Sequence, residues 1–253
     1  MKITGVIPAR YASTRFPGKP LMLIKGKTMI ERVYRQAQKS EFIDRVIVAT
    51  DDKKIFECVK SFGGEVKMTS VKHQSGTDRI YEVAKNIQAD IVINIQGDEP
   101  FIDPLNIDKA IEPLISHKKI NVSTLAIRIK NFTELQDHNK VKLVIDKNNN
   151  ALYFSRNFIP YDMKNNPEQK FDLKKNAYYK HIGLYVYRKK YLKEFVELKK
   201  SNLEKAENLE QLRILESGEK IKVVITKKES PAVDTPADLK NIIALIRTGK
   251  IES

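Results

Sequence analysis

The first half of the chain alternates two hydrophobic periods, and that alternation constrains the fold more than any other feature. Residues 3–8 (ITGVIP) and 45–50 (RVIVAT) are short, apolar and rich in β-branched residues, as strands buried on both faces are. Between them Met29, Ile30, Val33, Tyr34 and Ala37 recur at helical spacing, and Thr28 with Glu31 three positions on predicts a capping box. A helix over 52–62 closed by Gly63-Gly64, a strand over 65–68, a helix striped by Ile80, Ala84 and Ile87, and a strand over 91–95 continue the alternation. Asp103-Pro104 reads as N-cap and first residue of the next helix, with Ile107, Ile111, Leu114 and Ile115 as its buried face. Strands alternating with helices imply a mostly parallel sheet covered on both sides.

The second half is mixed. Val141, Leu143 and Ile145 alternate with lysines before Asn148 to Asn150 turn the chain into 151–154, a hairpin pattern. The polar stretch 161–176 predicts a surface loop, 178–187 and 221–226 predict strands, and a last helix starts at Pro236. With no internal repeat and no Gly/Ser linker, the expectation is a single α/β domain over 1–253, its second part rich in antiparallel pairing.

Charge and cysteine content narrow the function. The net charge of +14 invites a nucleic-acid reading, but the lysines come as scattered doublets such as Lys118-Lys119 and Lys189-Lys190, with no basic helix and no zinc-finger spacing. Nucleic-acid binding is therefore not expected. No stretch approaches the roughly 20 apolar residues that span a bilayer, so no membrane insertion is expected, and the run over 1–9 reads as a strand rather than a signal peptide. Cys58 is the single cysteine, which rules out an intrachain disulfide and fits a cytoplasmic protein.

Three segments sit where such sheets collect ligands, at the carboxyl ends of strands. Residues 9–20 (ARYASTRFPGKP) hold Arg10, Arg15 and Lys19 beside two hydroxyls and no acid, yet form neither of the familiar glycine-rich phosphate loops. A cation placed about 4 Å from one charge of a nucleoside triphosphate gains about 4 kcal/mol at an effective dielectric near 20. Gln96-Gly97-Asp98-Glu99-Pro100 projects carboxylates of the kind a hard cation takes together with phosphate oxygens. In Val233-Asp234-Thr235-Pro236-Ala237-Asp238, Thr235 and Pro236 read as N-cap and first helical residue, with Asp238 near the positive helix end. Asp234 is not needed for the cap. Each taken alone also fits an ordinary turn or solvated loop.

Together with HQSGTDR (73–79), ALYFSR (151–156), HIGLY (181–185) and LEQLR (209–213), these segments resemble, in order and over nearly the whole chain, the 3-deoxy-manno-octulosonate (Kdo) cytidylyltransferases. The resemblance implies a Rossmann-like nucleotidyltransferase fold, a homodimer, CTP and Mg2+ as requirements, and a place in lipopolysaccharide synthesis. It implies that Arg10 and Lys19 hold the triphosphate with Arg15 nearby, and that Ala9, Ser75 and Gly76 meet the nucleotide. Asp98 and Asp234 would share the metal, and Gln96, Arg156, His181, Tyr185, Glu210 and Gln211 would meet the acid sugar. Period two in HIGLYVY puts His181, Gly183 and Tyr185 on one face, with a recess at the glycine. Arg156 suits a sugar carboxylate through two parallel bonds. Cytidylyltransferases for the 8-amino analogue of Kdo or for sialic acid, sugar-1-phosphate nucleotidyltransferases, and a non-catalytic basic nucleic-acid or membrane-binding module are the alternatives.

Overall fold

The computed structural model describes residues 1–12, 16–163 and 177–249. Its first half follows the expected alternation: β1 (Ile3–Ala9), a small hairpin of β2 (Leu23–Ile24) and β3 (Lys27–Thr28), α1 (Met29–Ala37), β4 (Arg45–Thr50), α2 (Lys53–Ser61), β5 (Val66–Met68), α3 (Gly76–Lys85), β6 (Ile91–Asn94) and α4 (Pro104–Ser116). The rest comprises β7 (Val122–Arg128), α5 (Phe132–Gln136), β8 (Lys142–Ile145), β9 (Ala151–Ser155), β10 (Tyr179–Arg188), α6 (Lys189–Glu197), α7 (Asn202–Glu207), α8 (Leu212–Glu216), β11 (Ile221–Thr226) and α9 (Pro236–Arg247). The sheet order is β11-β7-β10-β6-β1-β4-β5, with the β8–β9 hairpin added to β10. β6, β1, β4 and β5 run parallel, and β10 is antiparallel to both β6 and β7.

Both faces of the sheet are covered, which is why β1, β4 and β6 are largely apolar. Ile3 and Ile7 of β1 meet Ile30 and Val33 of α1, Ile55 of α2 and Ile107 and Ile111 of α4 on one side. Val6 and Ile47 meet Ile80 and Val83 of α3, Leu192 and Phe195 of α6 and Leu212 of α8 on the other. Each such side chain removes apolar area worth about 1.5–3 kcal/mol from water.

Several local expectations are revised by tertiary contacts. Thr28 caps α1 by accepting from the Glu31 amide, but the Glu31 carboxylate bonds Arg35 rather than closing the box. Ile115 is 38% exposed, and Ala110 takes its place in the core face of α4. Lys142, expected on the wet face of its strand, is fully buried, its ammonium donating to the carbonyls of Asp137 and Arg156. β7 is an inner strand that the pattern above does not mark.

Candidate active site

The parallel strands β1 and β6 end side by side, and the segments that follow them hold Lys19 and Asp98. Gly97 lets the second turn pass close behind the first, because a Cβ there would come within 3.0 Å of the Pro8 carbonyl oxygen. Gly18 adopts φ +71°, in the left-handed region that favours glycine, and its amide bonds the Tyr11 carbonyl to close the first loop. Lys19, the next residue, is thereby turned toward Asp98. Its ammonium lies 2.8 Å from Asp98 and 3.3 Å from Asp234, although the two acids are 136 positions apart.

The Asp234 segment is fixed from two directions. The Val233 amide bonds the Asp98 carbonyl at 2.9 Å, tying the turns together through their backbones. Thr235 and Asp238 form the full capping box of α9, and Val233, Ile242 and Ile246 pack on Ile24 and Met29. The cap is complete without the Asp234 carboxylate, which meets Lys19 at the cleft.

That cleft, about 780 Å³, is lined by Gln96, Asp98, Glu99, Lys180, His181, Gly183, Glu229 and Asp234 among others. Gln96 donates to the Gly183 carbonyl, and a Cβ on Gly183 would meet its side chain at 3.5 Å, so Gln96 sits at the recess expected at that glycine. The predicted alternation of HIGLYVY is present, and on the face of His181, Gly183 and Tyr185 the first two are half-buried at the cleft while Tyr185 is buried. The His181 ring lies against Phe154 and Tyr185, and its Nε2 is 2.9 Å from Thr124 Oγ1. Burial pushes His181 down to about 3, so the imidazole is neutral at physiological pH. Linkage then has a definite sign. The unfolded chain binds a proton here below its ordinary value of about 6.5 and the folded chain does not, so this group subtracts stability as pH falls below that value. A His181 ring resonance that stays put between about pH 5 and 8 is the expected NMR result, whereas a midpoint near 6.5 would mean an open, solvated ring.

The other expected site residues distribute as follows. Ala9 closes β1, and Arg10 donates to the His73 carbonyl at 3.0 Å, joining the first loop to the 73–79 segment. Ser75 is the N-cap of α3 and Gly76 packs against Pro8, so this helix start adjoins the end of β1. Arg15 lies outside the described residues. Glu210 accepts from Thr77 and bonds Arg213, next to Ser75 rather than in the carboxylate cleft, and burial raises its pKa. Tyr185 is buried between His181 and Tyr187. Gln211 is buried as well, not an exposed helix residue. Arg156 donates to the carbonyls of Glu207, Asn208 and His138, the last flanked by the cleft residues Asp137 and Asn139.

The sequence does not foresee two features of the cleft wall. Lys180, nearly buried, bridges Glu134 and Glu229, partners 46 and 49 positions away that no local spacing connects. Glu99 is buried, its Oε2 has no hydrogen-bond partner, and burial with the nearby Asp98 and Glu229 charges pushes it up to about 8. Among the described residues no three acidic, histidine or cysteine side chains are grouped to hold a metal.

A family model described as Cytidylyltransferase matches residues 4–221. The 3-deoxy-manno-octulosonate cytidylyltransferase of Geobacter metallireducens is 50% identical over 250 residues, covering 96% of this chain and 97% of its own length. The chain belongs to the 3-deoxy-manno-octulosonate cytidylyltransferase family. The relative of that name from Bacteroides thetaiotaomicron, also 50% identical, covers 95% of this chain and 96% of its own. Among solved structures, a CMP:2-keto-3-deoxy-manno-octonic acid synthetase complexed with CTP superposes with a TM-score of 0.91 at 40% identity, covering 98% of this chain and 100% of its own. A 4-diphosphocytidyl-2C-methyl-D-erythritol synthase from Anaerococcus prevotii shares the fold at 17% identity and a TM-score of 0.62, covering 97% of this chain and 98% of its own. The cytidylyltransferase fold with a mostly parallel central sheet is thus established. No helix among the described residues is long and apolar enough to cross a membrane.

Proposed function

We propose that the chain transfers CMP from CTP to the anomeric hydroxyl of Kdo and releases pyrophosphate, a step in lipopolysaccharide synthesis. The observation that carries this reading is the meeting of Asp98 and Asp234 at Lys19, at the ends of the parallel strands, in a member of this family. In the reaction the anomeric oxygen forms a bond to the α-phosphorus. The bond to the bridging β-phosphate oxygen breaks, and the hydroxyl proton passes to solvent. Charge moves onto the departing pyrophosphate, where Arg10 and Lys19, with Arg15, are placed in sequence to neutralise it.

CTP-using enzymes of this kind generally need a divalent metal, and the residues fit magnesium. Two partly exposed carboxylates 28% and 44% accessible open onto the cleft beside a lysine that now compensates them. Two protein carboxylates with the remaining positions left to phosphate oxygens and water is the set magnesium prefers. Bound there, magnesium would lower the pKa of the attacking hydroxyl. Lys19 orients both carboxylates meanwhile, so the acids do not repel each other apart. His181, neutral and engaged with Thr124, is suited to hydrogen bonding with a sugar hydroxyl and not to supplying charge.

On the sugar side, Gln96 and His181 line the cleft, and Tyr185 backs His181 and faces the Glu210 charge. Arg156 keeps its proposed contact with the sugar carboxylate through the donors its three carbonyl bonds leave over. Arg156→Lys is therefore expected to raise the Kdo KM several-fold more than the CTP KM in steady-state kinetics, because lysine lacks the planar fork. Equal changes in both constants would remove that assignment. A homodimer and a cytoplasmic location rest on the family resemblance. Phosphorus NMR of the reaction mixture tests the chemistry itself: a phosphodiester signal appearing with pyrophosphate, and suppressed by EDTA, is expected, and release of free CMP instead would mean hydrolysis.

A further inference from the structure

We propose that a cationic pocket behind the Asp98 turn binds inorganic phosphate, free or as pyrophosphate. The pocket, about 210 Å³, is walled by Lys27, Arg32, Arg35, Gln36, Lys39 and the Pro100-Phe101 dipeptide. Four of these residues are cationic, none is acidic, and none lines the catalytic cleft.

Arg32 makes the pocket more than a basic surface. It is only 8% exposed, and among the described residues its single hydrogen bond runs from Nε to the Ile24 carbonyl at 2.9 Å. Its guanidinium lies over the Phe101 ring at 5.3 Å. The nearest acid, Glu31, is engaged with Arg35 at 2.8 Å. Burial disfavours the Arg32 charge, as its lowered pKa reflects. The remaining donors of this guanidinium open onto the pocket, and its planar fork matches two oxygens of a tetrahedral oxyanion. Lys27 and Lys39 stand at the mouth as exposed cations.

Pro100 and Phe101 continue directly from Asp98 and Glu99, so an occupant would brace the turn that carries the metal-binding acid.

Equilibrium dialysis with labelled phosphate or pyrophosphate, in saturating CTP without metal or sugar, tests this. About one anion per chain is expected to remain bound in the presence of CTP. The double substitution of Lys27→Gln with Lys39→Gln, both at exposed positions, is expected to weaken binding about tenfold, and Arg32→Met to weaken it further. Tighter retention of pyrophosphate would name the reaction product as the occupant, and tighter retention of phosphate the free ion. Anion binding unchanged in both variants, or no anion retained beside CTP, would overturn the proposal.

Discussion

Asp98→Asn is expected to lower CMP transfer about a thousandfold at saturating substrates, the equivalent of about 4 kcal/mol of transition-state stabilisation. Asparagine keeps the shape of the turn, including the backbone bond from Val233 to the residue-98 carbonyl. It removes one of two anionic oxygen donors, and it deprives Lys19 of its 2.8 Å partner. The pair is partly solvated, so the melting temperature should change little, and CTP should still bind through the loop cations. Turnover near that of the unsubstituted chain at saturating magnesium would exclude a metal-binding role for Asp98.

The largest stability effect is expected at Asp51→Ala, where it acts through Arg79. Arg79 is fully buried, bonded to Thr69 and, at 2.6 Å, to Asp51, itself 20% exposed. Removing the acid leaves a buried cation with no opposite charge, which costs about 3 kcal/mol. For a chain of this size that lowers the melting temperature by about 6–12 °C. Breaking the exposed Arg45–Glu65 pair is expected to cost under about 1 kcal/mol, since water screens it already. A thermal melt in which the two losses are equal would mean that burial does not decide the strength of these pairs.

Arg79 also shows where reading the sequence stops. It belongs to the HQSGTDR segment, whose resemblance points to nucleotide contact, yet it is a buried strut under that segment. The elements with local signals are legible: Asp103-Pro104 and Thr235-Pro236 start helices where caps and prolines say they should, and the apolar runs over 3–8 and 45–50 form inner strands. The placement of Asp98 and Asp234 after strands is legible, with Lys19 as a cation of the opposite loop. What binds them to one another is not, because a lysine bridging two acids depends on tertiary geometry. The burial of Lys142 and Lys180 is not legible for the same reason. Each is buried by partners that local spacing does not connect, two carbonyls near the β8–β9 hairpin in one case and Glu134 and Glu229 in the other. β7 carries Ser123 and Thr124 in an otherwise apolar run, and both are buried because the Ala110, Ile182 and Leu184 carbonyls accept their hydroxyls.

Pyrophosphate release from CTP and magnesium, with Kdo, its 8-amino analogue and sialic acid supplied in parallel, tests the central claim most directly. Release that depends on magnesium and is fastest with Kdo is the predicted result. Release fastest with another of the acid sugars would contradict the sugar assignment, and no release with any of them from the folded chain would contradict the reaction itself.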